Sequence, residues 1–421
     1  MKKIAKTGIN ITEKKIGGKS LKDIVNIRKE KTKKTANKKK IIITISVLIL
    51  ILVIGITILV YYSSRDARNF LDQYLFRKNI TQEKLDSISL DYDSNINIFA
   101  YNKYICILAE NKLMEYNSAG KLQHEISLEI NNPEYSVNNK YIAISEKGGS
   151  TIHLISDDEI LWSKEVDGNI AKINVNDNGY VSAILTGTTY KTVIVIFDNE
   201  GNELFKNYLA TSTAVDTSIS NDNQYLAFAE VNTTGTSIQS NVKVISIKNA
   251  TERTRDEATE PIIAEYAAED NKLIVNIEYH KDNRILCMYD SEIAILEDGN
   301  SRVLLNLEEK GKNINFANIN LENHIYRAVE ENDGIFNTNT ILEIENVDNE
   351  RTTIYTVEGA AKYIYSDNNI IAVNLGQEIE FVNTSGWLLK RYSSMQEVQD
   401  VVIGNGVAGI IYEDKVEILS L

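Results

Sequence analysis

One short pattern recurs eight times along the chain: an asparagine, one variable residue and then a run of β-forming residues. Two of the copies read Asn102-Lys-Tyr-Ile-Cys-Ile and Asn139-Lys-Tyr-Ile-Ala-Ile. Successive asparagines are 37 to 60 residues apart, mostly near 40. A repeat of about 40 residues is typical of propeller blades, each built from four antiparallel strands. The eight anchors are Asn102, Asn139, Asn178, Asn223, Asn283, Asn323, Asn368 and Asn405.

A second pattern, Asn or Asp followed three residues later by Gly, comes after a β-type run in several copies. It occurs at Asn117–Gly120, Asp198–Gly201 and Asn383–Gly386, with a shorter form at Asp298-Gly299. Asn, Asp and Gly tolerate the left-handed backbone of tight hairpins, so each motif marks a turn between two strands. Each repeat therefore holds four strands.

The last repeat lacks one strand. After Asn405 the chain has only two β-type runs, Val407–Tyr412 and Lys415–Leu419. The run Leu85–Leu90, ahead of the first anchor, has no other partner, so we expect it to complete the last blade. The sequence thus predicts an all-β, eight-bladed propeller over residues 85–421, or a seven-bladed one if the weak copy around Asn283 merges with its neighbour.

Ahead of the repeats, Ile41 to Tyr62 form 22 residues without a charge. A helix of this length reaches ~33 Å, enough to cross a hydrocarbon core of ~30 Å. The apolar region of a cleaved signal peptide is only ~7–15 residues long. We therefore expect a single transmembrane helix over 41–62 that acts as an uncleaved signal anchor.

Charge predicts the orientation of that helix. Residues 1–40 carry 15 basic against three acidic residues, a net charge of +12. Since the whole chain carries −14, residues 41–421 carry −26. Lys and Arg next to a span keep that side cytoplasmic, so we expect a single-pass cell-membrane protein with an extracytoplasmic C-terminal domain. The acidic domain also argues against a nucleic-acid partner.

The flanking segments have distinct compositions. The Lys-rich stretch 1–40 has few apolar residues and is predicted to be a disordered cytoplasmic tail. Residues 63–84 are predicted to be an amphipathic stalk, because Phe70, Leu71, Tyr74 and Leu75 share one helical face.

Catalytic and metal-binding motifs are missing from the sequence. The four histidines, His124, His153, His280 and His324, lack zinc-hydrolase spacing, and no G-x-S-x-G motif occurs. The run 174–179 lacks the Glu and the helices of an EF-type calcium loop, so turn chemistry explains it better. We predict no enzyme activity, no catalytic residue, no cofactor and no metal site.

The two cysteines, Cys106 and Cys287, fall on the same strand of blades one and five. Those blades are opposite each other in an eight-bladed ring, beyond the ~7 Å Cα limit for a disulfide. We expect two buried, free thiols.

Two connections between second and third strands are longer than the others, Val231–Asn241 and Glu330–Thr340. Both should emerge on one face of the ring, around its central opening, and long loops on rigid scaffolds concentrate binding residues. Tolerated insertion at a loop tip would explain the lengths equally well. The candidate binding residues are Thr234, Ser237, Gln239, Asp333, Phe336 and Asn337.

The repeats resemble the quinoprotein-like and WD-like propeller superfamily. The most similar members are eight-bladed envelope propellers whose repeats end in Asp-x-x-Gly followed by Trp, as around Trp162 and Gly386-Trp387. The order of basic tail, single span and Asn-rich propeller is similar to an uncharacterised family of single-pass, membrane-anchored propellers from Gram-positive bacteria. This resemblance implies an architecture rather than a chemistry.

These observations favour a non-enzymatic binding or scaffold module in the cell envelope, with a protein or glycan partner. One alternative is an enzyme or a binder of a small molecule or cofactor that uses the central opening, which carboxylates lining that opening would favour. Another is a signalling protein whose basic tail contacts a cytoplasmic partner. Fold alone does not decide between them.

Overall fold

The computed structural model describes residues 44–59, 86–90, 96–138, 140–253, 261–333 and 337–421, the side chains of residues 333 and 337 excepted. The chain divides into two compact units, Met1–Lys78 and Asn79–Leu421. In the first unit, helix α1 covers residues 44–59. The predicted tail (1–40) and stalk (63–84) lie outside the described residues.

Helix α1 lies inside the predicted membrane span Ile41–Tyr62, whose first three and last three residues are not described. Within the described part of the chain, no helix reaches the length and hydropathy that a membrane crossing requires. The span and the topology inferred from it stay predictions.

In the second unit, the described residues form eight four-stranded antiparallel sheets. The strands of blades 1 to 4 are β2 (Asn97–Tyr101), β3 (Tyr104–Ala109), β4 (Lys112–Tyr116), β5 (Leu122–Ser127), β6 (Pro133–Val137), β7 (Ile142–Glu146), β8 (Thr151–Ser156), β9 (Glu159–Glu165), β10 (Asn169–Val175), β11 (Val181–Thr186), β12 (Thr192–Phe197), β13 (Glu203–Leu209), β14 (Thr213–Ile219), β15 (Tyr225–Asn232), β16 (Gln239–Ser246) and β17 (Ile262–Ala267).

Blades 5 to 8 complete the ring. Their strands are β18 (Ile274–Tyr279), β19 (Ile285–Tyr289), β20 (Glu292–Glu297), β21 (Asn300–Asn306), β22 (Asn313–Leu321), β23 (His324–Asp333), β24 (Asn337–Asn346), β25 (Thr352–Glu358), β26 (Tyr363–Asp367), β27 (Ile370–Asn374), β28 (Glu378–Asn383), β29 (Leu388–Ser393), β30 (Asp400–Gly404), β31 (Val407–Ile411), β32 (Lys415–Ser420) and β1 (Asp86–Ser89). The copy at Asn283 forms its own blade, so the eight-bladed prediction is confirmed and the seven-bladed alternative is wrong.

The first strand of the propeller closes its last blade, as predicted. Strand β1 pairs antiparallel with β32, with Ser87 opposite Glu417 and Ile88 opposite Val416. The Leu90 N–H extends this pairing by donating to the Asp414 carbonyl at 2.9 Å. Both ends of the propeller are thus held in one sheet, which ties the ring shut.

Apolar burial lies between the blades. Eight clusters of buried side chains are described, and each joins one blade to the next. The cluster between blades 8 and 1, for example, contains Ile105, Val416 and Ile418, with the half-buried Ile88 packed against it. A four-stranded sheet cannot bury both faces alone, so stacking in a closed ring supplies the core.

The repeated turns have direct structural causes. The Asn117 Oδ1 accepts hydrogen bonds from the backbone N–H groups of Ala119 and Lys121, and Asp198 and Asn383 form the same arrangement in blades 3 and 7. The glycine that ends each motif lies against the preceding blade. A Cβ placed on Gly201 would come 2.9 Å from Trp162 Cγ. The motif is therefore a blade-docking turn.

The two faces of the ring are built differently. One side, which we call the turn face, carries two connections of each blade: that between the first and second strands and that between the third and fourth strands. The opposite side, called the hairpin face, carries the connections between second and third strands and those from blade to blade. A short helix, α2 (Ile247–Glu252), lies on the turn face, in the connection between the third and fourth strands of blade 4.

Both cysteines are buried and free, as predicted. Cys106 lies on β3 and Cys287 on β19, the second strands of blades 1 and 5. Burial raises the pKa of both thiols, Cys287 to about 12. They are inert apolar side chains rather than nucleophiles.

Candidate functional site

The central channel holds a cavity of about 460 Å³. Its lining comes from the first strands of blades 1 to 7 and the turns that follow them, so it lies toward the turn face. The volume falls in the ~300–1,000 Å³ range of ligand pockets.

Three amide side chains of the channel wall join neighbouring blades. Asn174 Nδ2 donates to the Thr217 carbonyl at 2.8 Å, and Asn176 Nδ2 donates to Asn223 Oδ1 at 2.7 Å. Asn320 Nδ2 donates to the Ser366 carbonyl at 2.6 Å in the same way. These asparagines hold the ring together and need no ligand to satisfy them.

The carboxylate of Asp216, on β14 next to the channel, has both an ion-pair partner and hydrogen-bond donors. Lys172 Nζ lies 2.6 Å from its carboxylate, and the backbone N–H groups of Thr217 and Ile277 each donate to it at 2.9 Å. The side chain is buried and links three consecutive blades. Such a paired and hydrogen-bonded carboxylate has a structural role.

Glu278, on β18, is the contrasting case. It lines the cavity and is only partly exposed, yet no hydrogen-bond or ion-pair partner for its carboxylate occurs among the described residues. Desolvation in the channel, reinforced by the negative charges of Asp216, Asp367 and Asp177, raises the pKa of Glu278 to about 8. A perturbed acid in a cavity is a candidate functional group.

Other charged groups share this cavity. Asp367 faces the channel from β26, where enclosure by the walls raises its pKa to about 6 although water still reaches it. Glu322 lies 3.4 Å from Lys281, so these two charges offset each other. With Asp177 at the rim, the lining holds four carboxylates against one lysine. The cavity therefore favours cations.

A compact ionic cluster lies at the edge of the channel. His280, Asp282 and Asp348 place one donor atom each within 4.8 Å of one another. Arg284 already occupies the cluster, with its guanidinium 2.5 Å from Asp282 and 2.6 Å from Asp348. His280 Nε2 lies 3.1 Å from Asp348. The group is an ion-pair network between blades 5 and 6 rather than a metal site.

The predicted binding residues lie elsewhere. Both long connections include hairpin extensions: β15 continues to Asn232 and β16 begins at Gln239, while β23 and β24 leave only residues 334–336 between them. Cross-strand pairing covers both ends of Val231–Asn241, leaving residues 233–238 as the connection, and covers most of Glu330–Thr340, so both connections are shorter than the sequence predicted.

Both hairpins emerge on the hairpin face. Thr234 donates to Asn232 Oδ1 from its backbone and its hydroxyl, and Gln239 is exposed on β16. Ser237 is half-buried. Asp333 and Asn337 end their strands, and Phe336 lies outside the described residues. None of the three residues whose side chains are described, Thr234, Ser237 and Gln239, lines the cavity, because second and third strands lie further from the axis than the first strands do.

The remaining histidines have packing roles. His124 Nδ1 lies 3.0 Å from the buried Glu115, and His153 Nδ1 lies 2.8 Å from Ser163. Burial lowers the pKa values of His153 and His324.

Sequence reasoning missed Glu278 and Asp367. One signal was available in the first strands of the repeats, where polar residues alternate: Asn174 with Asn176, and Asn276 with Glu278. Alternation in a first strand indicates which side chains face the axis.

Comparison of the sequence with curated proteins finds no match. Among solved structures, BamB from Moraxella catarrhalis is 10% identical with a TM-score of 0.46, over 81% of this chain and 100% of that one. Sqt1 of Chaetomium thermophilum, bound to the N-terminus of ribosomal protein L10, is 12% identical with a TM-score of 0.47, over 80% and 100%. The dihydro-heme d1 dehydrogenase NirN, in complex with DHE, is 11% identical with a TM-score of 0.47, over 81% and 73%.

At these scores the structural likenesses carry no argument about function. A family model, in contrast, matches residues 76–421, which include every strand of the propeller. The chain belongs to DUF5711, a family of unknown function.

Proposed function

We propose that this chain is a non-enzymatic binding module of the cell envelope, tethered through Ile41–Tyr62, with its propeller outside the membrane. Its hairpin face binds a protein or glycan partner. The observation that carries the proposal is the set of apolar and aromatic side chains exposed on that face.

The exposed side chains occur on several blades. Tyr190 and Tyr208 in blade 3 are 43% and 51% exposed, with ring centroids 4.8 Å apart. Tyr363, at the start of β26, is 55% exposed, and Met395, in the connection from blade 7 to blade 8, is 97% exposed. Exposed aromatic residues and methionines are enriched where proteins bind partners.

A further apolar group joins blades 4 and 5. The Ile238 carbonyl accepts from the Asn271 backbone N–H at 2.9 Å, and the Ile238 N–H donates to Asn271 Oδ1 at 3.2 Å. The exposed Leu273 and Val275 follow on the chain, where β18 begins. The hairpin β15–β16 thus adds to the same surface. Clusters of this kind on a rigid scaffold are suited to recognition.

The tether rests on the 22 uncharged residues and on the +12 charge that precedes them. Basic residues stay cytoplasmic, so the acidic propeller is placed outside. Ser212 on this side donates to the Glu230 carboxylate at 2.6 Å, but both side chains are buried, so the chemistry of the face favours binding rather than catalysis.

Crosslinking pull-down from intact membranes tests the proposal. The double variant Tyr363→Ser/Met395→Ser should lose the partners that the wild-type chain captures, because both side chains lie in the proposed interface. A matched control is Ile354→Ser, on the outer strand β25, which is 65% exposed but distant from the hairpin face. Unchanged partners in the double variant, or equal loss in the control, would contradict the proposal.

A second candidate function is binding of a small molecule in the central channel. The specific observation in its favour is the unpaired Glu278 in a cavity with other carboxylates. This candidate uses the turn-face side of the axis and is compatible with a partner on the hairpin face.

A further inference from the structure

The unsatisfied groups around the channel are all hydrogen-bond acceptors. Asn138 lines the cavity, and its Oδ1 is buried without a hydrogen-bond partner. His280 also lines the cavity, is 3% exposed, and has an unpartnered Nδ1. In the neutral imidazole, the Nε2 that faces the Asp348 carboxylate carries the proton and donates, and Nδ1 is the acceptor. The carboxylate of Glu278 adds an acceptor with negative charge.

Buried acceptors without donors are costly, and each normally has a partner in the functional state. A ligand with N–H donors satisfies acceptors of this kind, and the excess of carboxylates selects a positive charge. An amide oxygen and an imidazole nitrogen can also coordinate a metal ion, so the spacing of the groups decides between these two kinds of ligand.

A single metal ion fits this set poorly. Among the described residues, the group with three acidic or histidine donors close enough to share an ion is His280, Asp282 and Asp348, and Arg284 fills it. Glu278 and Asp367 are close enough for their charges to interact but do not belong to such a group. A larger ligand with separated donors bridges them better.

We propose that the central channel binds an organic cation carrying primary amines, with Glu278 as its main anionic contact and Asp367 as a second. The cavity of about 460 Å³ is large enough for a linear di- or triamine. The inference deepens the second candidate function and is independent of the hairpin face.

Spermidine is a suitable probe, titrated calorimetrically into the full-length chain in detergent at pH 8.5. We expect about one spermidine per chain. Glu278→Gln should weaken binding at least tenfold, and Asp367→Asn several-fold. The matched control Glu159→Gln, at an exposed acid on the outer strand β9, should bind like the wild type.

Two further titrations define the chemistry. Tetramethylammonium chloride, a cation without N–H donors, should not bind, and calcium chloride should not displace spermidine. Affinity should fall from pH 8.5 to pH 6, because Glu278 becomes protonated beside Asp177, Asp216 and Asp367 while the amines stay charged.

Several outcomes would overturn the inference: no spermidine binding to the wild type, equal binding to Glu278→Gln, or equal loss in Glu159→Gln. Calcium that binds alone and requires Glu278 would assign the site to a metal ion instead. Thermal unfolding checks that each variant is folded. If Glu278→Gln does not fold, the spermidine affinity of Asp367→Asn tests the inference in its place. Tyr363→Ser/Met395→Ser should bind spermidine normally, which separates this inference from partner binding at the hairpin face.

Discussion

The turn face and the hairpin face of this propeller obey different constraints. On the turn face, short turns built from Asn, Asp and Gly are fixed by hydrogen bonds to their own backbone and by contact with a neighbouring blade. On the hairpin face, connections vary in length from blade to blade, and apolar side chains are exposed. Docking between blades therefore accounts for the repeated sequence, while the connections on the opposite face are less constrained in length and composition.

The largest expected effect comes from a glycine that docks against another blade. Gly201 has φ +80°, and an added Cβ would lie 2.9 Å from Trp162 Cγ. Gly201→Ala should lower the free energy of unfolding by about 2–4 kcal/mol, through backbone strain and overpacking.

Gly148 on the hairpin face is the matched control, since it has φ +74° but nothing within 4 Å of an added Cβ. Gly148→Ala should cost only about 1 kcal/mol, from backbone strain alone. Urea denaturation of both variants measures the difference. Equal losses would show that blade docking does not distinguish the two faces.

A second contrast uses two asparagines. Asn176 is buried, accepts from the backbone N–H groups of Asn178 and Tyr180, and donates to Asn223 in the next blade. Asn176→Ala should cost about 2–4 kcal/mol, because buried groups lose their partners.

Asn232, on the hairpin face, bonds only within its own hairpin, to Thr234. Asn232→Ala should change stability by less than about 1 kcal/mol. Thermal unfolding of the two variants tests this. If Asn232→Ala lost as much stability as Asn176→Ala, the proposed difference between the two faces would be contradicted.

The third prediction concerns pH. An acid whose pKa is higher in the folded than in the unfolded state binds its proton more tightly when folded, so stability falls as pH rises from about 4.5 to about 8. Glu278→Gln removes this loss and should raise stability at pH 8.5 by about 1–3 kcal/mol, with a smaller gain at pH 5. Unfolding curves at both pH values check the prediction. An equal gain in stability at pH 5 and at pH 8.5 would contradict a raised pKa of Glu278 in the folded state.

The smallest effect on stability is expected at the hairpin β15–β16. Replacing residues 233–238 by Asn-Gly keeps both strands and shortens the connection to a two-residue turn. Stability should change by less than about 1 kcal/mol, while partner capture in the pull-down should fall because Ile238 leaves the apolar surface. Unaltered capture would remove this hairpin from the proposed interface.

Much of the architecture could be predicted because it depends on local chemistry that recurs. The left-handed backbone of Asn102, Asn223 and Asn283, with φ of 53° to 64°, explains why asparagine marks the turn between first and second strands. Counting strands was enough to assign Leu85–Leu90 to the last blade, where Asp86–Ser89 form β1.

The bounds of the long hairpins were not predictable in the same way. The polar ends of β23 and β24 have weak strand propensity, yet they pair because the apolar parts of the same two strands set the register. Cross-strand partners override local preference here.

The sequence by itself determined the propeller fold and the turns of its blades, because each turn depends on residues within about four positions of one another. It left seven or eight blades open, and a count of strands indicated which strand closes the ring. Only the tertiary structure decided what meets in the channel. Lys172 and Ile277 are separated by 105 residues but both contact Asp216, and Glu278 lies near the charge of Asp367. The charge of Asp216 is balanced and its oxygens are hydrogen-bonded, whereas the Glu278 carboxylate has no partner among the described residues. Both results depend on distances between blades, which exist only in the closed ring.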